Sequence, residues 1–117
     1  MSEKQREARI DVPWPLRIAA ISGRGEGSLI NISLSGALFV TDCAFGESDL
    51  VVLRISLDAD TNVDCVAQIV RTVSLGDRNA YGAELRYVSS VDRQKLNFAL
   101  LLVRDPGANG RAIRPGF

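Results

Sequence analysis

The sequence predicts an all-β fold with one helix: a six-stranded antiparallel β-barrel followed by a C-terminal α-helix. Three observations carry this expectation. From Pro15 to Val88, short runs of β-prone residues alternate with Gly, Asp, Asn or Ser, and no helical period intervenes. The longer runs alternate apolar and polar residues with a period of two, as half-buried strands do. Only after Val88 does the spacing become that of an amphipathic helix. Closure into a barrel follows because an open sheet of consecutive strands would leave exposed edges. A chain of 117 residues leaves room for one such domain.

Taken in order, residues 1–14 are expected to form a flexible basic arm, since the first nine are mostly polar or charged and precede Pro13 and Pro15, which force extended backbone. Residues 16–21 form the first strand, with the glycine-rich run 22–27 as its turn. Residues 28–32 and 37–41 are the next two, separated by Ser33-Leu-Ser-Gly36. Residues 50–57 set Val51, Leu53, Ile55 and Leu57 against Val52, Arg54 and Ser56. Residues 63–73 set Val63, Cys65, Ala67 and Ile69 against Asp64 and Gln68. In 80–88, Tyr81, Ala83, Leu85 and Tyr87 share a face opposite Glu84 and Arg86. The segment Ser89-Ser-Val-Asp92 carries N-capping chemistry, and Leu96, Ala99, Leu100 and Val103 follow on one helical face, with Phe98, Leu101 and Leu102 beside it. The barrel and helix thus span 15–104. Residues 105–117, with three glycines and two prolines, read as a disordered tail.

Lys and Arg total 14, as do Asp and Glu, so no charge excess points to a polyanion and DNA is not an expected partner. The chain contains no histidine, which removes the commonest general base and metal ligand. Cys43 and Cys65 lie far apart, so both are expected as small core side chains rather than a disulfide or metal pair. Asp58-x-Asp60-x-Asn62-x-Asp64 opens like a calcium loop, but Val63 stands where the turn needs glycine and Ile69 where the bidentate glutamate belongs. Gly23-x-Gly25-x-Gly27 has no lysine or helix after it to make a phosphate loop. No nucleophile has a recognisable activating partner, so no enzyme and no cofactor is expected. There is no transmembrane segment, since the longest apolar run, 98–103, is far too short to span a bilayer, and no signal peptide; the expected location is cytoplasmic.

One constellation remains: the basic run Lys4-Gln5-Arg6-Glu7-Ala8-Arg9 together with Asn31-Ile-Ser33-Leu-Ser-Gly36. Guanidinium groups bond phosphate oxygens in pairs, offer two donors to guanine, and stack on bases. An Asn carbonyl, a Ser hydroxyl and a glycine that admits close approach would supply the other half of a nucleotide site. The same residues also read as an unattached tail and an ordinary Asn/Ser turn.

With these motifs the sequence resembles the PilZ domain family, bacterial receptor modules for cyclic di-GMP. The resemblance runs from about Lys4 to Val103. It rests on the basic arm, on Pro15-Leu16-Arg17-Ile18, on the family's Asp/Asn-x-Ser-x-x-Gly motif at Asn31, Ser33 and Gly36, on Ala67-Gln-Ile-Val-Arg71, and on Tyr81-Gly82-Ala83-Glu84-Leu85. It implies a non-catalytic receptor or adaptor that binds cyclic di-GMP and relays it to an unidentified protein effector. The residues implied to bind ligand are Gln5, Arg6, Arg9, Asn31, Ser33 and Gly36: the arm takes phosphate or guanine, Asn31 and Ser33 a guanine edge, and Gly36 shapes the turn. The arm departs from the family's Arg-x-x-x-Arg pattern, because Arg9 in register as the second arginine puts Gln5 where the first belongs. The alternative is a degenerate member that binds no nucleotide and serves as a protein-interaction module, supported by Gln5 and the extra apolar helix residues. A homodimer is left open.

Overall fold

The computed structural model describes residues 9–104. Its elements are β1 (Ile10–Asp11), β2 (Pro15–Ala20), β3 (Gly23–Ile32), β4 (Gly36–Thr41), β5 (Leu50–Ser56), β6 (Asn62–Leu75), β7 (Arg78–Val88) and α1 (Ser90–Arg104). All ladders are antiparallel, and the order β3-β2-β5-β6-β7-β4 closes on itself through β3–β4. The predicted six-stranded barrel with a following helix is therefore the observed architecture, with β1 as an additional short strand on β3.

That short strand moves the start of the barrel. Residues 1–8 of the expected arm and the tail 105–117 lie outside the described residues. From Ile10 onward, however, the chain is built into the sheet: Ile10 pairs with Ile32, Val12 N–H donates to Ile30 O (3.3 Å), and Trp14 O accepts from Leu29 N–H (2.9 Å). β1 and β2 act as one strand along β3, interrupted around Pro13, which has no N–H to give a ladder. Val12, only 3% exposed, belongs to the core.

The run 22–27, expected as a turn, is mostly strand. The turn is Ile21 and Ser22, and β3 begins at Gly23, paired with Ala20. The glycines serve close approach instead: a Cβ on Gly25 would collide with Cys43 Sγ, and one on Gly27 with the carbonyl oxygen of Val40. β3 can thus pair with β2 along one edge and fold against β4 along the other.

The inward faces of β5 (Val51, Leu53, Ile55) and β6 (Val63, Cys65, Ala67, Ile69) are those the alternation predicts. In β7 the prediction fails beyond Leu85. A bulge sets Leu85 opposite Ala67 but Tyr87 opposite Val66, so Arg86 is the extra residue and the parity inverts. Tyr87 is 63% exposed, and Val88 turns inward. Cys65 is buried as expected, and burial pushes its thiol up to about 12; Cys43 is only half-buried. A disulfide-exchange reagent at pH 8 should therefore titrate one thiol in the folded protein, Cys43, with the second reacting only after denaturation.

α1 starts from Ser89, whose Oγ accepts from Asp92 N–H (3.1 Å), while Asp92 Oδ2 accepts from Asp64 N–H (3.0 Å) and ties the helix to β6. Leu96 and Leu100 are buried against the barrel. Ala99 is half-buried, but Val103, expected on the same face, is 41% exposed. The Asp58 to Asp64 segment is a hairpin, with Asp60 N–H donating to Asp58 Oδ1 (2.8 Å), and no cluster of metal-ligating side chains occurs among the described residues.

Candidate functional site

A bulge in β3 decides where Asn31 points. The register passes from Leu29↔Phe39 to Asn31↔Leu38, so Ile30 is the extra residue. Leu29 and Ile32 both stay in the core, and Asn31 is left outside, between Asp11 of β1 and Leu38 of β4. The pairing of Ile10 with Ile32 then brings the preceding residue, Arg9, alongside: its Nη1 donates to Asn31 Oδ1 at 3.0 Å. The other guanidinium nitrogen, Nη2, lies over Gly36, where a Cβ would sit 3.2 Å from it and 3.2 Å from Ala83 O. A Cβ there would crowd both groups by a few tenths of an ångström.

Ser33, expected to take a guanine edge, is engaged within its own turn. It is 3% exposed, and its Oγ accepts from the N–H groups of Ser35 (3.3 Å) and Gly36 (3.2 Å), while its own N–H donates to Gly36 O (2.8 Å). It holds the β3–β4 turn closed. The turn is pinned to β7 by Leu85 N–H donating to Ser35 O (2.9 Å). Of the six expected site residues, the structure brings Arg9, Asn31 and Gly36 together, with Ser33 beneath them; Gln5 and Arg6 lie outside the described residues.

A cleft of about 270 Å³ opens at this point, lined by Arg9, Gly36, Arg71, Gly82 and Glu84 among others. Arg71 was not among the expected ligands. It reaches the cleft through a third bulge, at Val70, which sets Arg71 opposite Gly82. A Cβ on Gly82 would stand 2.9 Å from Arg71 Nε, so the side chain lies across that glycine. The run Ile69-Val70-Arg71 departs from the two-residue alternation expected over 63–73, and a glycine stands in the middle of β7. Glu84, the acid in the lining, is engaged by Arg86 (3.4 Å). Arg9 and Arg71 have no ion-pair partner among the described residues, so the cleft presents two uncompensated cations suited to phosphate or to a guanine edge.

A larger concavity of about 550 Å³ lies elsewhere, on the outer faces of β2, β3 and β5, and carries none of the expected site residues. Its Arg54 makes a two-bond pair with Asp64 (2.8 and 3.0 Å), and the hydrogen bond from Arg54 holds Asp64 below the usual carboxylate range. The other shifted acid, Asp58, is lowered by the Asp60 N–H in its hairpin. Both shifts are local pairings of strand and turn, remote from the cleft.

The chain matches the PilZ domain family over residues 3–101. No curated protein matches it. Among solved structures it is similar to the inhibitor of motility MotI/DgrA of Bacillus subtilis (17% identity, TM-score 0.72), covering 86% of this chain and 51% of that one. It is similar to the PilZ domain of Escherichia coli YcgR with c-di-GMP (14% identity, TM-score 0.69), covering 95% and 99%. The MrkH–c-di-GMP complex of K. pneumonia is a further match (15% identity, TM-score 0.66), covering 94% and 57%. The chain thus spans about half the length of MotI/DgrA and MrkH and nearly all of the YcgR domain. With a family match over most of its length and the barrel those relatives share, this chain belongs to the PilZ domain family.

Proposed function

We propose that the chain is a non-catalytic receptor and adaptor of the bacterial cytoplasm that binds cyclic di-GMP in the cleft lined by Arg9, Gly36 and Arg71, beside Asn31, and relays it to a protein effector. The observation that carries this reading is the Arg9 guanidinium, bonded to Asn31 and set over Gly36 at the lip of a cleft that Arg71 shares. The YcgR domain and MrkH, similar in fold, were solved with c-di-GMP. Arg9 and Arg71 take phosphate or a guanine edge, Asn31 a guanine edge, and Ser33 keeps the turn in shape. Gln5 and Arg6 meet the ligand from the arm, and the arm folded over it creates or covers the partner's surface. No helix among the described residues is long and apolar enough to cross a membrane.

The test is calorimetric titration of the full chain with cyclic di-GMP, with GMP as control. Saturable binding of the cyclic dinucleotide alone is expected; absence of binding would favour the second reading, a module that binds protein and no nucleotide. That reading has its own observation in the exposed helix residues Phe98 (56%) and Leu101 (52%). Gln5→Arg restores the family's arginine pair and should tighten binding by ~1 kcal/mol or more in the same titration. Unchanged affinity would mean that Arg6 already fills that place.

A further inference from the structure

Glu84 is the one acid that lines the Arg9–Arg71 cleft. Strand register puts it between the two cations. On β7 it stands opposite Gly36 of β4 on one side and Gln68 of β6 on the other, while Arg71 lies opposite Gly82, two residues earlier. The neighbouring row Ala37, Ala83 and Ile69 is buried in the core, so Glu84 faces outward with Gly36 and Gly82. Arg9 Nη2 lies over the first of these glycines and Arg71 Nε across the second. Adjacent strands are ~5 Å apart and alternate residues of a strand ~7 Å, so the carboxylate is one side-chain length from both guanidinium groups.

It pairs with neither. Arg86 Nη2 meets Glu84 Oε1 at 3.4 Å, Arg86 Nε donates to Gln68 Oε1 (3.0 Å), and Gln68 Nε2 donates to Ser48 O (3.3 Å). This series of contacts positions the carboxylate from the β6 side. A carboxylate has about four acceptor sites, so the Arg86 contact leaves room for two further donors, and the side chain is 53% exposed to receive them.

The other side chains of the site offer donors. Arg9 and Arg71 have no acceptor atom, and Asn31 Oδ1 already accepts from Arg9, which leaves its amide N–H groups. These suit phosphate and the O6 and N7 acceptors of guanine. The Watson–Crick edge of guanine also carries two adjacent donors, N1–H and the exocyclic amino group, and these need an acceptor. We propose that Glu84 is the specificity-determining residue of the cleft, its carboxylate accepting from both donors of one guanine. The inference rests on the reading of the cleft as a cyclic di-GMP site. Adenine has an acceptor at N1 and cannot make the paired contact.

The test is calorimetric titration of the full chain, Glu84→Gln and Glu84→Ala with cyclic di-GMP and with cyclic di-IMP, whose hypoxanthine bases lack only the exocyclic amino group. The parent should prefer cyclic di-GMP by about tenfold or more, and both variants should reduce that preference to about threefold or less. The ratio is the readout, because removing a negative charge beside two arginines raises the affinity for both dinucleotides alike. Thermal midpoints near the parent's show that the variants are folded. A parent that binds both dinucleotides equally, or variants that keep the parent's ratio, overturn the assignment and leave the cleft as the ligand site. A parent that binds neither overturns the reading of the cleft, and the assignment with it.

Discussion

Phe39→Ala is expected to remove ~3 to 5 kcal/mol of folding stability, a large share of the ~5 to 15 kcal/mol typical of a domain. Phe39 is fully buried, and its ring centroid stands 5.8 Å from that of Tyr81, which in turn meets Phe45 edge-on at 5.7 Å. Tyr81 also closes the barrel end by hydrogen bonds, accepting from Phe45 N–H (2.9 Å) and donating to Cys43 O (3.3 Å). Truncating Phe39 therefore opens a cavity and also loosens the residue that anchors the β4–β5 loop. Tyr81→Phe, which loses only those hydrogen bonds, should cost less, ~1 to 3 kcal/mol. Urea unfolding of both variants checks the order. A Tyr81→Phe loss as large as that of Phe39→Ala would make the hydroxyl, not the ring packing, the main support.

Arg9→Ala is expected to abolish measurable cyclic di-GMP binding while leaving the apo protein's thermal midpoint nearly unchanged. Truncating one partner of a hydrogen-bonded charge pair costs ~2 to 5 kcal/mol, or roughly one and a half to four decades in affinity. Arg9 itself is exposed, and its one described side-chain bond, to Asn31, contributes little to folding; the chain is anchored instead at Ile10 and Val12. Arg9→Lys keeps the charge but not the paired donors, and should fall between parent and alanine. Parent-like binding by Arg9→Ala would remove the arm from the site.

The limits of the sequence reading lie where the alternation is broken. β5 and the first half of β6 follow a strict two-residue period, so their inward faces were legible residue by residue. A bulge adds one residue that nothing in composition marks, which is why Tyr87 and Val88 exchange places and why Arg71 went unrecognised as a cleft residue. Gly25 and Gly27 read as turn formers because glycine does supply turns; their use here, to let β3 pass close to β4 and Cys43, depends on a long-range contact. The site motif was legible because its parts are local: Ser33 and Gly36 close one turn. What the motif alone does not state is that Ser33 spends its hydroxyl inside that turn.

The most direct test of the account is a nitrogen-edited NMR titration of the full chain with cyclic di-GMP. The account predicts saturable shifts at the Arg9 guanidinium Nε–H, the Asn31 side-chain amide and the Gly36 N–H, with the Asp58–Asp60 hairpin signals staying in place. Shifts confined to the Arg17, Arg24 and Arg54 face, or no shifts at saturating ligand, would contradict it.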